Sequence, residues 1–253
     1  MVRRILLASL AAALAGVGLF FLTLPDVTPL RASWPRSTAF IERRKQEISR
    51  AGGDPRIEWT PVPMSRISGS LARAVVVAED SRFYEHAGVD WDAVKDAVEK
   101  NLDRGDLKVG GSTITQQLAK NLYLSPARSL WRKLREWAIA RRLEGKLSKR
   151  RILEIYLNVI EFGPRTFGAE AAARRFFHKP AASLTEMEAA TLAAVIPSPR
   201  IYDPVRHPDR VERRARRILR WMGKTSAQAG SGRRQTGQVL LSCLEIPNGR
   251  CQR

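Results

Sequence analysis

The chain has 253 residues, of which 44 are Lys or Arg and 25 are Asp or Glu, so its formal net charge is +19. Hydrophobic residues make up 44% and charged residues 27%, a composition that excludes a wholly disordered chain and a protein with many membrane spans. So large a positive charge predicts an anionic partner, such as nucleic acid, a lipid headgroup surface or a phosphorylated substrate.

Residues 1–24 are predicted to be an N-terminal membrane anchor. Arg3 and Arg4 precede residues 5–24, an uncharged run of 20 residues that would be about 30 Å long as a helix, the thickness of a bilayer core. A cleaved signal peptide is the alternative, but the run is long for one and no small-residue cleavage motif follows it. The two arginines predict a cytoplasmic N-terminus, which would place the main domain on the periplasmic side.

Residues 25–59, rich in Pro, Arg and Ser, are predicted to form a basic juxtamembrane tether with a short helix over 38–50. Nearly all of the excess positive charge lies in three stretches, 31–50, 128–151 and 205–224. The first follows the anchor, where anionic lipid would attract each basic side chain by about 1 kcal/mol. The alternative is a solvated helix face, and for the first and third stretches both interpretations stay open.

Residues 60–223 are predicted to form one all-α domain, because apolar residues recur at helical spacing and no run alternates as a half-buried strand would. Thr185 and Glu188 form a capping box, and Gly223 is expected to end the last helix. The predicted helices are, in chain order, 67–78, 90–101, 113–122, 130–147, 149–160, 169–177, 185–195 and 209–222. Residues 224–253, which include Cys243 and Cys251, are predicted to be a flexible tail.

A first candidate for chemistry is Glu79, which follows the apolar run 75–78. A carboxylate at the end of a buried segment is partly desolvated, which raises its pKa and makes it a usable base. Residue types alone leave other interpretations open. Glu79 could be a surface acid at a helix end, Asp80 a loop cap, and His86 before Gly88 a structural hydrogen-bonding residue.

A second candidate is the loop at Gly110 and Gly111, where the backbone can turn tightly and approach a ligand. Ser112 or Thr113 would cap the next helix, whose free amides, together with Lys120, can bind an anion. The segment lacks the Gly-Lys-Ser/Thr of a nucleotide P-loop. The alternative is an ordinary capped helix after a glycine turn.

The third candidate pairs Arg132 with Glu136, four residues apart on one helix face, and a surface ion pair is the alternative. The apolar positions of residues 149–158 mostly indicate core. Residue types alone therefore leave the chemistry of both segments undecided.

Taken in order, these segments resemble the peptidoglycan glycosyltransferase family (family 51), whose short members are monofunctional, membrane-anchored biosynthetic transglycosylases. The resemblance covers residues 60–222, and the chain shows no Ser-x-x-Lys of the transpeptidase domain that bifunctional relatives carry. Five motifs in sequence order are far more specific than any one of them. They lie at 79–88 (Glu-Asp-x-x-Phe-x-x-His-x-Gly), 110–117 (Gly-Gly-Ser-Thr-Ile-Thr-Gln-Gln), 132–136, 152–158 and 193–204.

The resemblance implies a mostly helical, lysozyme-like domain that polymerises lipid II, a disaccharide-peptide on a polyprenyl pyrophosphate, into β-1,4-linked glycan strands. The anomeric carbon would invert and polyprenyl pyrophosphate would leave. Glu79 would be the general base at the acceptor 4-hydroxyl, and Glu136 would assist near the donor diphosphate or order the site. The matching substrate-binding positions are Ser112, Thr113, Gln117, Lys120, Arg132 and Lys133. The matching positions that organise the site are Asp80, Phe83, His86, Gly110, Gly111 and Asn158.

The resemblance also implies the partners. No cofactor would be required, although a divalent cation, Mg²⁺ or Mn²⁺, assists the diphosphate in this family. No metal site is predicted, because the three histidines are far apart without metal-ligand spacing. The expected partners are lipid II, the growing glycan strand, lipids of the cytoplasmic (inner) membrane and other cell-wall synthesis proteins. Nucleic acid is not expected, because no binding motif accompanies the charge.

Two other functions remain as alternatives. A glycan-cleaving relative of the same fold class would use a glutamate as general acid, but a glycosidase has no diphosphate to hold and would not need the cationic cluster. A membrane-tethered scaffold could keep the fold without the chemistry. The presence of both Glu79 and Glu136 argues against this second alternative.

Overall fold

The structure is a computed structural model that describes residues 1–104, 111–125, 127, 129–202 and 204–231. The mostly helical fold predicted from the sequence is confirmed, with ten α-helices and one small sheet among these residues. Predicted Gly110, the cysteines of the tail and Asp203 of the last motif lie outside them.

The first helix, α1 (Val2–Leu22), has no buried residue, and it meets the main hydrophobic cluster only near its end, at the half-buried Phe20. Its mean hydropathy is 2.5, and it is long and apolar enough to cross a membrane. An apolar helix that is exposed on every side is unfavourable in water, because its apolar surface would be hydrated. The properties of α1 therefore fit the predicted single-pass anchor.

The segment after α1 packs on the domain along its length. Leu24, Val27 and Leu30 are buried in the main hydrophobic cluster. The side chain of Arg142 donates to the carbonyl of Leu24 at 3.0 Å, and Arg151 donates to that of Leu30 at 2.8 Å. The segment predicted as a tether therefore begins as part of the folded body.

The helix predicted over 38–50 is α2 (Ala39–Arg50), and Thr38 caps it by accepting a hydrogen bond from the amide of Ile41. Arg44 of α2 makes a two-oxygen ion pair with the half-buried Glu161, with both Nη2–carboxylate distances 2.7 Å. A bidentate pair between elements so far apart in sequence fixes the direction of α2.

Seven helices make up the body of the domain before the C-terminal helix. Serine, threonine or aspartate stands before six of them, because a side-chain oxygen there accepts one of the free amides of the first turn. They are α3 (Gly69–Glu79), α4 (Trp91–Arg104), α5 (Ile114–Tyr123), α6 (Leu130–Lys146), α7 (Lys149–Val159), α8 (Ala169–Phe177) and α9 (Glu186–Val195).

The predicted capping box of Thr185 and Glu188 is present at the start of α9. Helices α3 and α9 pack against each other, and α5 packs against both α6 and α7. One continuous hydrophobic cluster joins the two groups. The end of α3 consequently lies beside the start of α5, where the candidate site forms.

The expectation of no sheet is wrong. Strands β1 (Glu58–Trp59), β2 (Glu161–Gly163) and β3 (Thr166–Phe167) form a sheet in the order β1-β3-β2, parallel between β1 and β3 and antiparallel between β2 and β3. Strands of two or three residues are too short to show the alternation by which a strand is recognised.

A glycine fixes the turn that leads from the sheet into α8. Gly168 has a φ of +82°, and a Cβ there would lie 2.6 Å from the carbonyl oxygen of Asn158. Any other residue would both clash and be strained. This close approach holds α8 against the end of α7.

The C-terminal helix, α10 (Pro208–Ser231), is longer than predicted and packs on α9 and α3. Gly223 lies inside it, exposed and without a neighbour that a side chain would meet. Glycine in a helix interior costs only about 1 kcal/mol relative to alanine, which is not enough to end a helix of this length.

Candidate active site

Glu79 is the last residue of α3, whose preceding residues Leu71, Ala74 and Val75 are buried in the core. The apolar face of α3 carries the carboxylate inward, so that its side chain is only 10% exposed. Burial raises the pKa of Glu79 above its ordinary value, and a hydrogen bond from Gln117 and the charge of Arg214 oppose that rise. A partly desolvated carboxylate of this kind can take a proton at neutral pH.

Two side chains from other elements contact the Glu79 carboxylate. Gln117 of α5 donates from Nε2 to Glu79 Oε2 at 3.0 Å, and Arg214 of α10 lies 3.7 Å away, from Nη2 to Oε1. The Gln117 amide accepts in turn a hydrogen bond from the hydroxyl of Tyr156 at 2.8 Å. The carboxylate is therefore contacted by two helices besides its own, α5 and α10, and α7 supports it indirectly through Gln117.

The start of α5 is built by hydrogen bonds that tie it to the residue after Glu79. Thr113 and Gln116 form a capping box, and the Thr113 hydroxyl also donates to the carbonyl of Gly88 at 2.7 Å. The amide of Ile114 donates to Asp80 Oδ2 at 2.9 Å. A carboxylate at a helix N-terminus is favoured by both the free amides and the helix dipole. This contact sets the first turn of α5 against Glu79.

His86 holds the other side of Asp80. The amide of Gly88 donates to His86 Nδ1 at 3.2 Å, so Nε2 carries the proton and donates to Asp80 at 2.9 Å. Both residues therefore organise the loop between α3 and α4. Phe83 is fully buried in that loop, and the ammonium of Lys149 lies 4.4 Å from its ring centre.

Asp80, His86 and Asp90 are the one group, among the described residues, whose ligand atoms lie close enough to share a metal ion. Their atoms already have partners: Asp90 accepts from Arg82 at 2.5 and 3.0 Å and from the amide of Ala93 at 2.9 Å. Because these atoms already take part in hydrogen bonds, the three residues form a hydrogen-bond network and are not suited to bind a cation.

The cationic part of the site lies on α6. Glu136 is 2% exposed and accepts from Arg132 and from Lys133, each at 2.5 Å. Lys133 also donates to the hydroxyl of Ser112 at 3.1 Å, which joins α6 to the loop before α5. The predicted pair is thus part of a cluster of two half-buried cations around a buried carboxylate, and not a surface ion pair.

Lys120 connects this cluster with Glu79. Burial lowers the pKa of Lys120, as do the charges of Arg132 and Lys133, while Glu136 and Glu79 raise it. The ammonium therefore lies within the electrostatic reach of both glutamates and both neighbouring cations. The site has a carboxylate on one side and a group of cations on the other.

A groove of about 540 Å³ opens on Glu79 and Asp80. Gly111, Ser112 and Thr113 line one wall, and a Cβ on Gly111 would lie 3.2 Å from the carbonyl oxygen of Ala93, which explains the glycine. The groove thus exposes the buried carboxylate to solvent and to a ligand.

Asn158 lies away from this groove. It is fully buried, accepts from the amide of Val62 at 2.8 Å, and donates to the carbonyls of Val62 and Glu154 at 2.9 and 2.8 Å. Its carbonyl accepts from the indole of Trp59 at 2.7 Å. Asn158 therefore fixes the segment before α3 and reaches the site only through that segment.

The structure adds residues that the motifs did not point to. Arg214, Trp221 and Lys224 come from α10, and the last two line the groove. Tyr156 stood within a motif but was interpreted as core. Nothing in the sequence distinguishes Arg214 from the other arginines of its helix, whereas a tyrosine among buried aliphatic residues signals a hydroxyl that needs a partner.

Comparison with known proteins places this geometry in a family. Residues 45–223 match the protein family described as Transglycosylase. This match begins within α2, ahead of residue 60, and ends within α10.

Many curated proteins are similar to this chain. The biosynthetic peptidoglycan transglycosylase of Thiobacillus denitrificans is 50% identical over 194 residues, which are 76% of this chain and 83% of that protein. The protein of the same name from Nitrosospira multiformis is 48% identical over 192 residues, 76% of this chain and 84% of that protein. The one from Chromobacterium violaceum is 44% identical over 220 residues, 87% of this chain and 96% of that protein.

Proposed function

The chain belongs to the transglycosylase family, and we propose that it is a peptidoglycan transglycosylase that polymerises lipid II into β-1,4-linked glycan strands for the cell wall. The observation that carries the proposal is a buried carboxylate, Glu79, in a groove that Ser112 also lines, with Lys133 of the cationic cluster hydrogen-bonded to Ser112. Transfer of a sugar from a diphosphate leaving group needs both a base for the acceptor hydroxyl and cations that stabilise the departing diphosphate.

In the proposed reaction Glu79 takes the proton from the 4-hydroxyl of the acceptor sugar. The acceptor oxygen forms a bond with the anomeric carbon of the donor as the bond to the diphosphate breaks, so the carbon inverts and polyprenyl pyrophosphate leaves. Burial of Glu79 and the groove over it support this role, because a base with a raised pKa at an open groove can reach a substrate hydroxyl.

The diphosphate would lie against Lys120, Arg132 and Lys133, with the hydroxyls of Ser112 and Thr113 nearby. Arg132 Nε is buried and has no hydrogen-bond partner among the described residues, and a buried donor of this kind needs a partner, for which a ligand oxygen or a water molecule is suited. Glu136 orders the cluster by holding Arg132 and Lys133 in place. A divalent cation, Mg²⁺ or Mn²⁺, would add positive charge beside the diphosphate, and we assign no residue to hold it.

The membrane part of the proposal rests on α1. Arg135 and Arg142 of α6 donate to the carbonyls of Thr23 and Phe21 at 3.0 and 2.7 Å, so the apolar helix ends against the helix that carries the cations. An uncleaved anchor would hold the site near the membrane surface, where a polyprenyl-linked substrate lies. The proposed orientation has the N-terminus in the cytoplasm and the domain on the periplasmic side.

The function can be tested with the full chain, purified in detergent and incubated with labelled lipid II and a divalent cation. Wild type is expected to produce a ladder of glycan strands on a gel, and muramidase is expected to digest that ladder. Glu79→Gln should give no ladder while still binding lipid II, because it keeps the shape and removes the base. Glu85→Gln is the matched control, since Glu85 is an exposed carboxylate in the neighbouring loop.

A ladder from Glu79→Gln at the wild-type rate would remove Glu79 as the base. A folded wild type that makes no ladder but cleaves preformed glycan would favour the glycosidase instead. A folded wild type that does neither would favour a non-catalytic scaffold.

A further inference from the structure

A buried tyrosine lies behind the glutamine that contacts Glu79. Tyr156 of α7 is fully buried, and its hydroxyl donates to Gln117 Oε1 at 2.8 Å. A phenol has one proton to donate, and this one has a single acceptor here. Burial raises the pKa of Tyr156 well above its ordinary value, so the hydroxyl keeps its proton and remains a donor in neutral solution.

This hydrogen bond determines which way the Gln117 amide faces. With its oxygen held by Tyr156, the amide must present its nitrogen to Glu79, and the Nε2–Oε2 distance is 3.0 Å. An N–H aimed at a carboxylate favours the charged form. A flipped amide would present its oxygen, which repels the carboxylate and accepts a hydrogen bond from the protonated carboxylic acid.

We propose that Tyr156 is a positioning residue, which orients the Gln117 amide so that Glu79 is held ionised and ready to accept the substrate proton. The inference rests on the proposed role of Glu79 as base. Tyr156 touches neither the groove nor the cationic cluster, and it acts only through Gln117.

The other charges around Glu79 come from α10, from α5 and from the residue that follows Glu79 in the chain. Arg214 of α10 and Lys120 of α5 lower the pKa of Glu79, and Asp80, at the end of α3, raises it. None of these contacts depends on Tyr156. Loss of the tyrosine hydroxyl should therefore change only the contribution of Gln117 to the pKa of Glu79, and the contributions of the three charges should stay the same.

The test is the pH dependence of kcat/KM for lipid II polymerisation. A base must be ionised to act, so activity rises with pH through the pKa of Glu79 and forms an acidic limb. In Tyr156→Phe the ring still fills the core, but the amide is free to flip, and the pKa of Glu79 rises. The acidic limb is expected to move up by about one pH unit, so activity is lost at low pH and recovers at high pH.

A second pair of variants tests the route through Gln117. Gln117→Leu removes the donor to Glu79 and should move the acidic limb in the same direction. The double variant Gln117→Leu with Tyr156→Phe should have the same limb as Gln117→Leu alone, because the tyrosine then has nothing to orient. The matched control is Tyr123→Phe, since Tyr123 is a half-buried tyrosine elsewhere on α5, and its limb should stay in place.

Failure of this inference is distinguishable from failure of the proposed function. If Glu79→Gln is inactive and Tyr156→Phe loses the same fraction of activity at every pH, Tyr156 is merely structural and the inference is overturned. Should Tyr156→Phe not fold, an unmoved limb in Gln117→Leu would overturn the inference as well. Normal turnover by Glu79→Gln would overturn the proposed base itself.

Discussion

The guanidinium of Arg214 lies 3.7 Å from the carboxylate of Glu79, between Nη2 and Oε1. The contact joins the C-terminal helix α10 to the end of α3, and the two helices also pack directly against each other. Arg214 is partly shielded, with 29% of its side chain exposed, so its charge is less screened by water than that of a surface arginine. The environment of the candidate base therefore depends on a residue from the last helix of the domain.

Arg214→Gln is expected to raise the pKa of Glu79, because it removes a positive charge that favours the ionised carboxylate. The acidic limb of kcat/KM should move to higher pH, with about a threefold to tenfold loss of activity on that limb. Arg213→Gln makes the same charge change at the exposed neighbouring position and should leave the limb unchanged. Equal effects of both variants would show that only the net charge of α10 matters.

Glu79→Gln is expected to stabilise the fold at neutral pH. The pKa of Glu79 is raised in the folded state, so the folded protein binds this proton more tightly than the unfolded chain. The contribution of this proton to the free energy of unfolding is therefore complete below the unfolded pKa, and it is lost as the pH rises through the folded pKa. The variant should have the higher Tm at pH 7, and its advantage should shrink as the pH is lowered from the folded pKa to the unfolded value of 4.5, below which the Tm difference should stay constant. A Tm difference independent of pH would contradict this account.

Lys120→Ala is expected to reduce turnover of lipid II by tenfold or more with little change in Tm, since this ammonium would face the diphosphate. Burial lowers the pKa of Lys120, so wild-type kcat/KM should fall at alkaline pH, below the usual lysine range. Lys120→Arg keeps its charge throughout and should lose that alkaline limb. An equal loss of Tm and activity in Lys120→Ala would make the residue structural.

Asn158→Ala is expected to lower the free energy of unfolding by about 2–4 kcal/mol, because it leaves the amide and the carbonyl of the buried Val62 without their partner. Urea denaturation measures this loss. Asn121 is a suitable comparison, since it is also buried but makes one side-chain hydrogen bond, to its own helix. Asn121→Ala should lower the free energy of unfolding by less. An equal or larger loss would show that the hydrogen bonds of Asn158 to Val62 are not what stabilises the fold.

Two truncations are expected to separate membrane attachment from folding. Removal of residues 1–20 should leave the Tm nearly unchanged and reduce co-sedimentation with vesicles, since α1 has no buried residue. Removal of residues 1–36 should also destabilise the domain, because Leu24, Val27 and Leu30 are buried and each is worth about 1.5–3 kcal/mol. If the shorter truncation still binds vesicles as wild type does, α1 is not the anchor.

Most of the helices could be predicted because their signals are local. The caps at Thr113 and Thr185 and the spacing of apolar residues place the predicted helices within a few residues of their observed bounds, except at the end of α10. The sheet could not be predicted, because β1 pairs with a strand from the far side of α7. The packing of residues 24–30 was equally hidden, since basic and proline-rich composition says nothing about the few apolar side chains that are buried.

The residues of the site could be predicted only where they stand in a local sequence motif. Glu79 and Glu136 stand in recognisable motifs, and the structure places each in a polar cluster. Arg214 could not be found, because its role depends on where α10 crosses α3 and not on any local pattern. Tyr156 sits at a core position of α7, and only the three-dimensional structure shows that its hydroxyl faces Gln117.

The bonds between α6 and the end of α1 have a mechanical consequence. Arg135 and Arg142 grip the carbonyls of Thr23 and Phe21, and the same α6 carries the cations of Lys133 and Arg132. A glycan strand that is bound at those cations and pulled would exert its force on α6. The hydrogen bonds of α6 would transmit that force to α1. The anchor and the site would then move together as one rigid unit, because α6 is hydrogen-bonded directly to the end of α1.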